Sequence, residues 1–101
     1  MPGFAIVVHQ GRVSGRQYRT PVMAFPRRGG GWVIALTYGP DVQWARNVQV
    51  RGGCTLEVRG RRLAASNPTV VRDPTRRAVP APVRLVLRLI DVDLFLELDT
   101  G

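Results

Sequence analysis

The sequence predicts a mainly β protein with appended helices (α+β), a small antiparallel barrel forming one domain over residues 1–101. Three observations predict it. The apolar runs are short, rich in Val, Ile and aromatic residues, and closed by Gly or Gly-Pro. Only two stretches have helical spacing, and they do not alternate with strands as a parallel βαβ sheet requires. A chain of 101 residues buries roughly two-thirds of its unfolded surface, enough for one core.

The elements follow in order. Phe4 to His9 reads as a buried strand closed by Gly11, and Tyr18 to Phe25 as a second. Arg27-Arg28-Gly29-Gly30-Gly31 is a reversal. Trp32 to Tyr38 is a third, continuously apolar strand, broken by Gly39-Pro40-Asp41. Val42 to Val50 reads as a short helix with Trp44, Asn47 and Val48 on one side, stopped by Gly52-Gly53. Cys54 to Arg59 and Leu63 to Val71 form a strand pair turning at Gly60, and Pro68 weakens the second strand or places it at an edge. Asp73-Pro74 is a helix-start signal. Val83, Val86, Leu87 and Ile90 mark an amphipathic helix over about Ala81 to Ile90, its stripe expected as core or dimer contact. Leu94 to Leu98 is a last strand.

The net charge is +8, all fifteen basic residues are Arg, and Lys is absent. A Walker-type phosphate loop and a Schiff-base lysine are therefore both excluded. A G/C-rich genome alone gives such an Arg bias, although Arg also suits bidentate phosphate and carboxylate contacts. Residues 1–40 carry five Arg and no acid, whereas Asp91, Asp93, Glu97 and Asp99 make the C-terminal edge acidic. This asymmetry suggests an anionic ligand, with nucleic acid as the rival and a plain solvated face as the bland alternative. One Cys and one His leave no disulfide or structural zinc site to be expected. No apolar run approaches a membrane span, and the N-terminus lacks a basic segment and a cleavage site, so the expected location is cytoplasmic.

The segment from Gly11 to Val22 holds Arg12, Arg16 and Arg19 and no acid, between two apolar runs. A Gly-Arg-x-Ser-Gly-Arg turn between strands gathers backbone N–H groups and guanidinium donors, which together bind anions, most naturally a phosphate. Two further segments accompany it: Ala35-Leu36-Thr37-Tyr38-Gly39, and Trp44-Ala45-Arg46-Asn47 with Gly52-Gly53-Cys54. Each is a weak motif alone, but their order and spacing together are specific.

In these three segments the chain resembles the deazaflavin (coenzyme F420)-dependent nitroreductase and quinone reductase family, over about Pro2 to Leu98. The resemblance implies a split β-barrel of the type found in FMN-binding pyridoxamine-phosphate oxidases. It implies an oxidoreductase in which reduced deazaflavin gives a hydride to a quinone, a nitroaromatic or a similar electron-poor acceptor. The chain begins after the point at which family members usually have an N-terminal helix, so the resemblance implies a barrel domain without it. That cofactor has a phosphate and a carboxylate-bearing tail, which need fixed positive charge, and a flat tricyclic ring, which needs apolar walls.

By position, the resemblance puts Arg12, Val13 and Ser14 at the phosphate and tail. Tyr18, Arg19, Thr20, Pro21, Val22 and Met23 line the ring and its linker, with Pro21 and Val22 on the ring face. Ala35, Leu36, Thr37 and Tyr38 form the opposite strand of the groove, and Gln43, Trp44, Ala45, Arg46 and Asn47 close it from the helix. Some members carry a basic residue where this chain has Val13 or Tyr38, a role that Arg16 or Arg19 could take over. No catalytic residue or proton donor is identified.

The alternatives are a cofactor-binding module without turnover, an FMN-binding oxidoreductase and, last, a small basic nucleic-acid binder. A homodimer is a further expectation. His9 is expected as a satisfied structural residue and Cys54 as a buried small apolar one. A Ser14/His9/Asp41 triad can be written down, but Ser14 lacks a nucleophile-elbow context.

Overall fold

The computed structural model describes residues 3–27 and 29–100. Met1, Pro2, Arg28 of the expected reversal, and Gly101 lie outside the described residues. Six strands close an antiparallel barrel: β1 (Phe4–Gln10), β2 (Gln17–Pro26), β3 (Trp32–Ala35), β4 (Gly53–Val58), β5 (Arg61–Arg72) and β6 (Leu94–Thr100). They run in the order β1-β2-β3-β6-β5-β4, and β1 pairs with β4 to complete the circle. Two helices are appended, α1 (Gln43–Arg51) and α2 (Ala81–Leu89). Among the described residues no helix is long and apolar enough to cross a membrane.

The continuously apolar strands are explained by two cores, one on each side of the barrel wall. Val7, Ile34, Leu56, Leu96 and Leu98 meet inside the barrel, together with Ala45 and Val48 of α1. The alternate residues Val33, Ala35 and Phe95 pack outside with Phe25, Val79 and Val92 around Leu87 of α2. A strand covered on both faces has no polar face to alternate with.

Several expectations are corrected. The third strand ends at Ala35; the Leu36 N–H still donates to Leu94 O at 3.0 Å, and Thr37 to Gly39 then turns, with the Gly39 N–H donating to Leu36 O at 3.1 Å. β5 is no edge strand: it pairs with β4 and β6, and the ladder takes up Pro68 in a register shift between Ser66 and Thr69, with Asn67 left-handed at φ 54°. Asp73-Pro74 starts no helix. Asp73 Oδ1 instead accepts from Thr75 N and Oγ1, and Arg76 turns left-handed at φ 53° while its guanidinium is tied to Val92 O and Pro74 O. One helical turn cannot propagate through that conformation.

The stripe on α2 also divides. Leu87 is buried and Val83 partly so, but Val86 and Ile90 are more than half exposed. Val86→Ser is therefore expected to change stability by less than about 1 kcal/mol in a urea melt, as surface substitutions do. A larger loss would show that this face is covered in solution.

Two acids of the C-terminal edge, Glu97 and Asp99, are paired locally with Arg27. Arg27 donates to Glu97 Oε1 at 3.3 Å and to Asp99 Oδ1, and its Nε donates to Gly30 O. These contacts pin the β2–β3 reversal to β6. Gly31 sits in that reversal at φ +86°, and a Cβ there would lie 2.3 Å from Leu98 O, so no larger residue fits.

Candidate functional site

The basic turn between β1 and β2 is held by α1. The Arg12 N–H donates to Asn47 Oδ1 at 3.1 Å, and Arg12 Nη1 donates to the same oxygen at 2.9 Å and to Gln43 Oε1 at 2.8 Å. Arg51, in the last turn of α1, donates to Gly11 O at 2.8 Å. The helix stops directly afterwards at Gly52, φ 78°, whose N–H donates to Val48 O. Turn and helix are thereby fixed to each other by four hydrogen bonds between their residues.

A cleft of about 540 Å³ opens between them, lined by His9, Gly11 to Ser14, Tyr18 to Thr20, Gln43, Trp44 and Asn47. A second lobe of about 150 Å³ adjoins it, lined by Thr20 to Met23, Ala35 to Gly39, Val42 and Trp44. Thr20 and Trp44 line both, so the two lobes adjoin at these residues. The first lobe is donor-rich. Arg12 Nε and Nη2, and the amides of Val13 and Ser14, have no acceptor among the described residues. Apolar surface makes up most of the lining of both lobes; the second is walled by Pro21, Val22, Ala35 and Leu36 and has no charged side chain.

The structure brings together most of the residues singled out in the sequence. Arg12, Val13, Ser14, Tyr18, Arg19 and Thr20 line the first lobe with Gln43, Trp44 and Asn47. Pro21, Val22, Met23, Ala35, Leu36, Thr37 and Tyr38 line the second. Two are misplaced: Ala45 faces the barrel core, and Arg46 is exposed away from both lobes. Helical geometry requires this, because Gln43, Trp44 and Asn47 share the groove side while Ala45 and Arg46 lie around the helix. Thr37 and Tyr38 line the lobe from a turn, not from a strand, and Tyr38 is 87% exposed.

The proposed substitutes for a tail-binding cation fare differently. Arg16 does not line the cleft. Arg19 lines it but forms a two-pronged ion pair with Glu57, which holds the Glu57 carboxyl below its ordinary range. Val13 is 94% exposed and carries no charge; among the described residues that line the cleft, Arg12 is the guanidinium without a carboxylate partner.

His9 and Val42 also line the groove and were given no binding role from the sequence, whereas Gly11 and Gly39 lay in the motif segments without a role of their own. His9 is indeed satisfied, by Asn47 at 3.1 Å and Thr20 at 3.0 Å, and its ring stacks on Tyr18 at a centroid distance of 5.8 Å. Those bonds occupy both ring nitrogens, and Ser14 Oγ accepts from the Arg16 N–H, so no Ser14/His9/Asp41 triad is assembled. Cys54 is only partly buried, but its surroundings push the thiol up to about 11. It is a neutral thiol near pH 7 and a poor nucleophile.

No protein-family model matches the chain, and no curated protein matches it. Eight solved chains match it in structure. One of them has a TM-score of 0.63 at 18% sequence identity, covering 96% of this chain and 72% of its own. At that identity the likeness is one of fold: the chain is similar to a known barrel architecture, with two short helices appended to six antiparallel strands.

Proposed function

We propose that the groove binds a deazaflavin of the F420 type and that the protein serves hydride transfer to a quinone, nitroaromatic or other electron-poor acceptor. One observation carries this reading: a lobe with free donors and an uncharged, apolar-walled lobe adjoin at Thr20 and Trp44. A long ligand with an anionic end and a flat apolar end matches that polarity. The fit rests on the donor set. Arg12 keeps Nε and Nη2 for an anion, the Val13 and Ser14 amides of the same turn have no acceptor among the described residues, and Asn47 and Gln43 hold the guanidinium in place.

When bound, the deazaflavin supplies the hydride. The residues of this chain position and shield it. Pro21, Val22, Ala35 and Leu36 offer an apolar wall that excludes water from one ring face. Trp44, half-buried where the lobes adjoin, would contact the bound group near the junction of its apolar and charged parts. Tyr38 stands beside the open side, where an acceptor would approach. This is catalysis by positioning, with no covalent step on the protein. In this reading the barrel is of the split, FMN-binding type.

The test is a titration at low salt with oxidised deazaflavin and, separately, with FMN, following ring absorbance and tryptophan fluorescence. Saturable deazaflavin binding that perturbs Trp44 is expected. Its absence sinks the reading, and tight FMN binding in its place assigns the other flavin. Turnover of menadione by the loaded protein then separates a reductase from a binding module.

A further inference from the structure

The buried polar groups behind the cleft form a chain whose hydrogen positions are set from one end. Asn47 Oδ1 accepts from Arg12 N–H at 3.1 Å and from Arg12 Nη1 at 2.9 Å. Arginine has no acceptor, so this end of the amide must be its oxygen. The Asn47 Nδ2 then donates to His9 Nδ1 at 3.1 Å. His9 Nδ1 therefore carries a lone pair, and the neutral ring keeps its proton on Nε2. Nε2 lies 3.0 Å from Thr20 Oγ1 and donates to it. The Thr20 hydroxyl hydrogen is left over, at the junction of the two lobes.

We propose that neutral His9 is the positioning residue of the groove: it makes Thr20 a hydrogen-bond donor to an acceptor atom of the ligand and locks Asn47 in the orientation that holds Arg12, so that proton uptake by His9 weakens ligand binding. The inference takes the identity of the ligand from the deazaflavin reading, whereas the proton arrangement stands without it.

A protonated His9 places an N–H at Nδ1, head-on to the Asn47 amino group. If Asn47 turns its oxygen to the ring, its amino group meets the Arg12 N–H and guanidinium instead. One set of bonds is lost either way. No neighbouring group compensates. Tyr18 and Arg19 face His9 or its cavities from β2, Arg12 from the turn, Arg51 from α1, Cys54 from β4 and Arg62 from β5. All are neutral or cationic, and among the described residues no carboxylate lines either cavity that His9 touches. Burial accordingly lowers the His9 pKa from its ordinary 6.5. A folded value below the unfolded one means that the contribution of His9 to stability is fully present above about pH 6.5 and is lost as the pH falls through the folded value.

His9 is the single histidine of the chain, so its imidazole signals need no separation from others. In a long-range 1H–15N spectrum of the ligand-free protein we expect the Nε2–H tautomer and a pKa below 6.5, with the Arg12 amide and Asn47 side-chain signals moving at the same midpoint. An Nδ1–H tautomer, an unshifted or raised pKa, or Arg12 and Asn47 signals that ignore the titration would overturn the proposal.

The second arm measures the Kd of oxidised deazaflavin from about pH 5 to about pH 8. Affinity should fall about tenfold through the His9 midpoint, the loss of one to two such hydrogen bonds. His9→Gln keeps an amide N–H for Thr20 and has no titrating proton, so its affinity, at whatever level, should no longer change with pH through the wild-type midpoint. His9→Leu should bind about tenfold more weakly even at high pH. A wild-type profile that stays flat through the midpoint counts against the proposal. A complete lack of deazaflavin binding at high pH overturns the cofactor reading alone, because the tautomer and the Arg12 signals still decide the role of His9.

Discussion

Arg12→Ala is expected to raise the Kd for oxidised deazaflavin about 10- to 100-fold, equivalent to losing charge-assisted bonds of about 1.5–3 kcal/mol. The physical reason is local. Arg12 is the head-lobe guanidinium whose charge no carboxylate neutralises, whereas Arg19 is paired with Glu57. The fold should survive, since Asn47 keeps the backbone N–H of residue 12 as a partner. Fluorescence titration gives the Kd, and a thermal melt checks the fold. Arg46→Ala is the control: it removes the same charge from an exposed site on the same element that carries Asn47 and Gln43, and affinity should change by less than about threefold. Equal losses in both variants would mean that binding follows net charge rather than the groove, which is the behaviour of a non-specific polyanion binder.

Leu96→Ala should cost about 2–5 kcal/mol, the range for truncating a fully buried leucine. Leu96 has no exposed surface and belongs to β6, which pairs with β3 on one side and β5 on the other. Its side chain points into the barrel, among residues drawn from every strand, so no single element can move to fill the space. Urea unfolding followed by tryptophan fluorescence should show the midpoint falling with little change in slope. The melting temperature of a domain this size should drop by roughly 10 °C or more. A loss below about 1 kcal/mol would mean that the interior relaxes far more than a closed, two-sided wall allows.

Strand existence was legible because each strand is a short β-branched run bounded by glycine, and the closing β1–β4 pair left no sign in either segment. Trp32 to Tyr38 read as one continuously apolar strand, but only the packing showed that it stops at Ala35 and that Ile34 looks into the barrel while Val33 and Ala35 meet α2. The α2 stripe misled for a related reason. Helical spacing identifies an apolar face but not how much of it a neighbour covers, and here the barrel covers Leu87 and leaves Val86 and Ile90 in solvent. Asp73-Pro74 carried a sound local start signal that the buried Arg76 overrode.

In the groove, motif residues were legible by type and spacing. Ala45 and Arg46 were carried along with their neighbours because contiguity in a motif does not respect the turn of a helix. His9 was legible only as a satisfied residue at the end of an apolar strand. Its register opposite Tyr18, on the same face as Val7, sets it at the barrel mouth where α1 closes. No spacing rule within a segment reports that.

The sequence by itself determined the strand-rich class, the basic turn with its donors and the apolar segments that flank it, because these depend on residues near one another in the chain. The tertiary structure alone decided which cation is free to meet an anion, where the proton on His9 lies and which face of α2 is bare. Those depend on partners such as Arg12 and Asn47, 35 positions apart, and His9 and Asn47, 38 apart. Such contacts exist only once the barrel has closed and brought α1 against the turn.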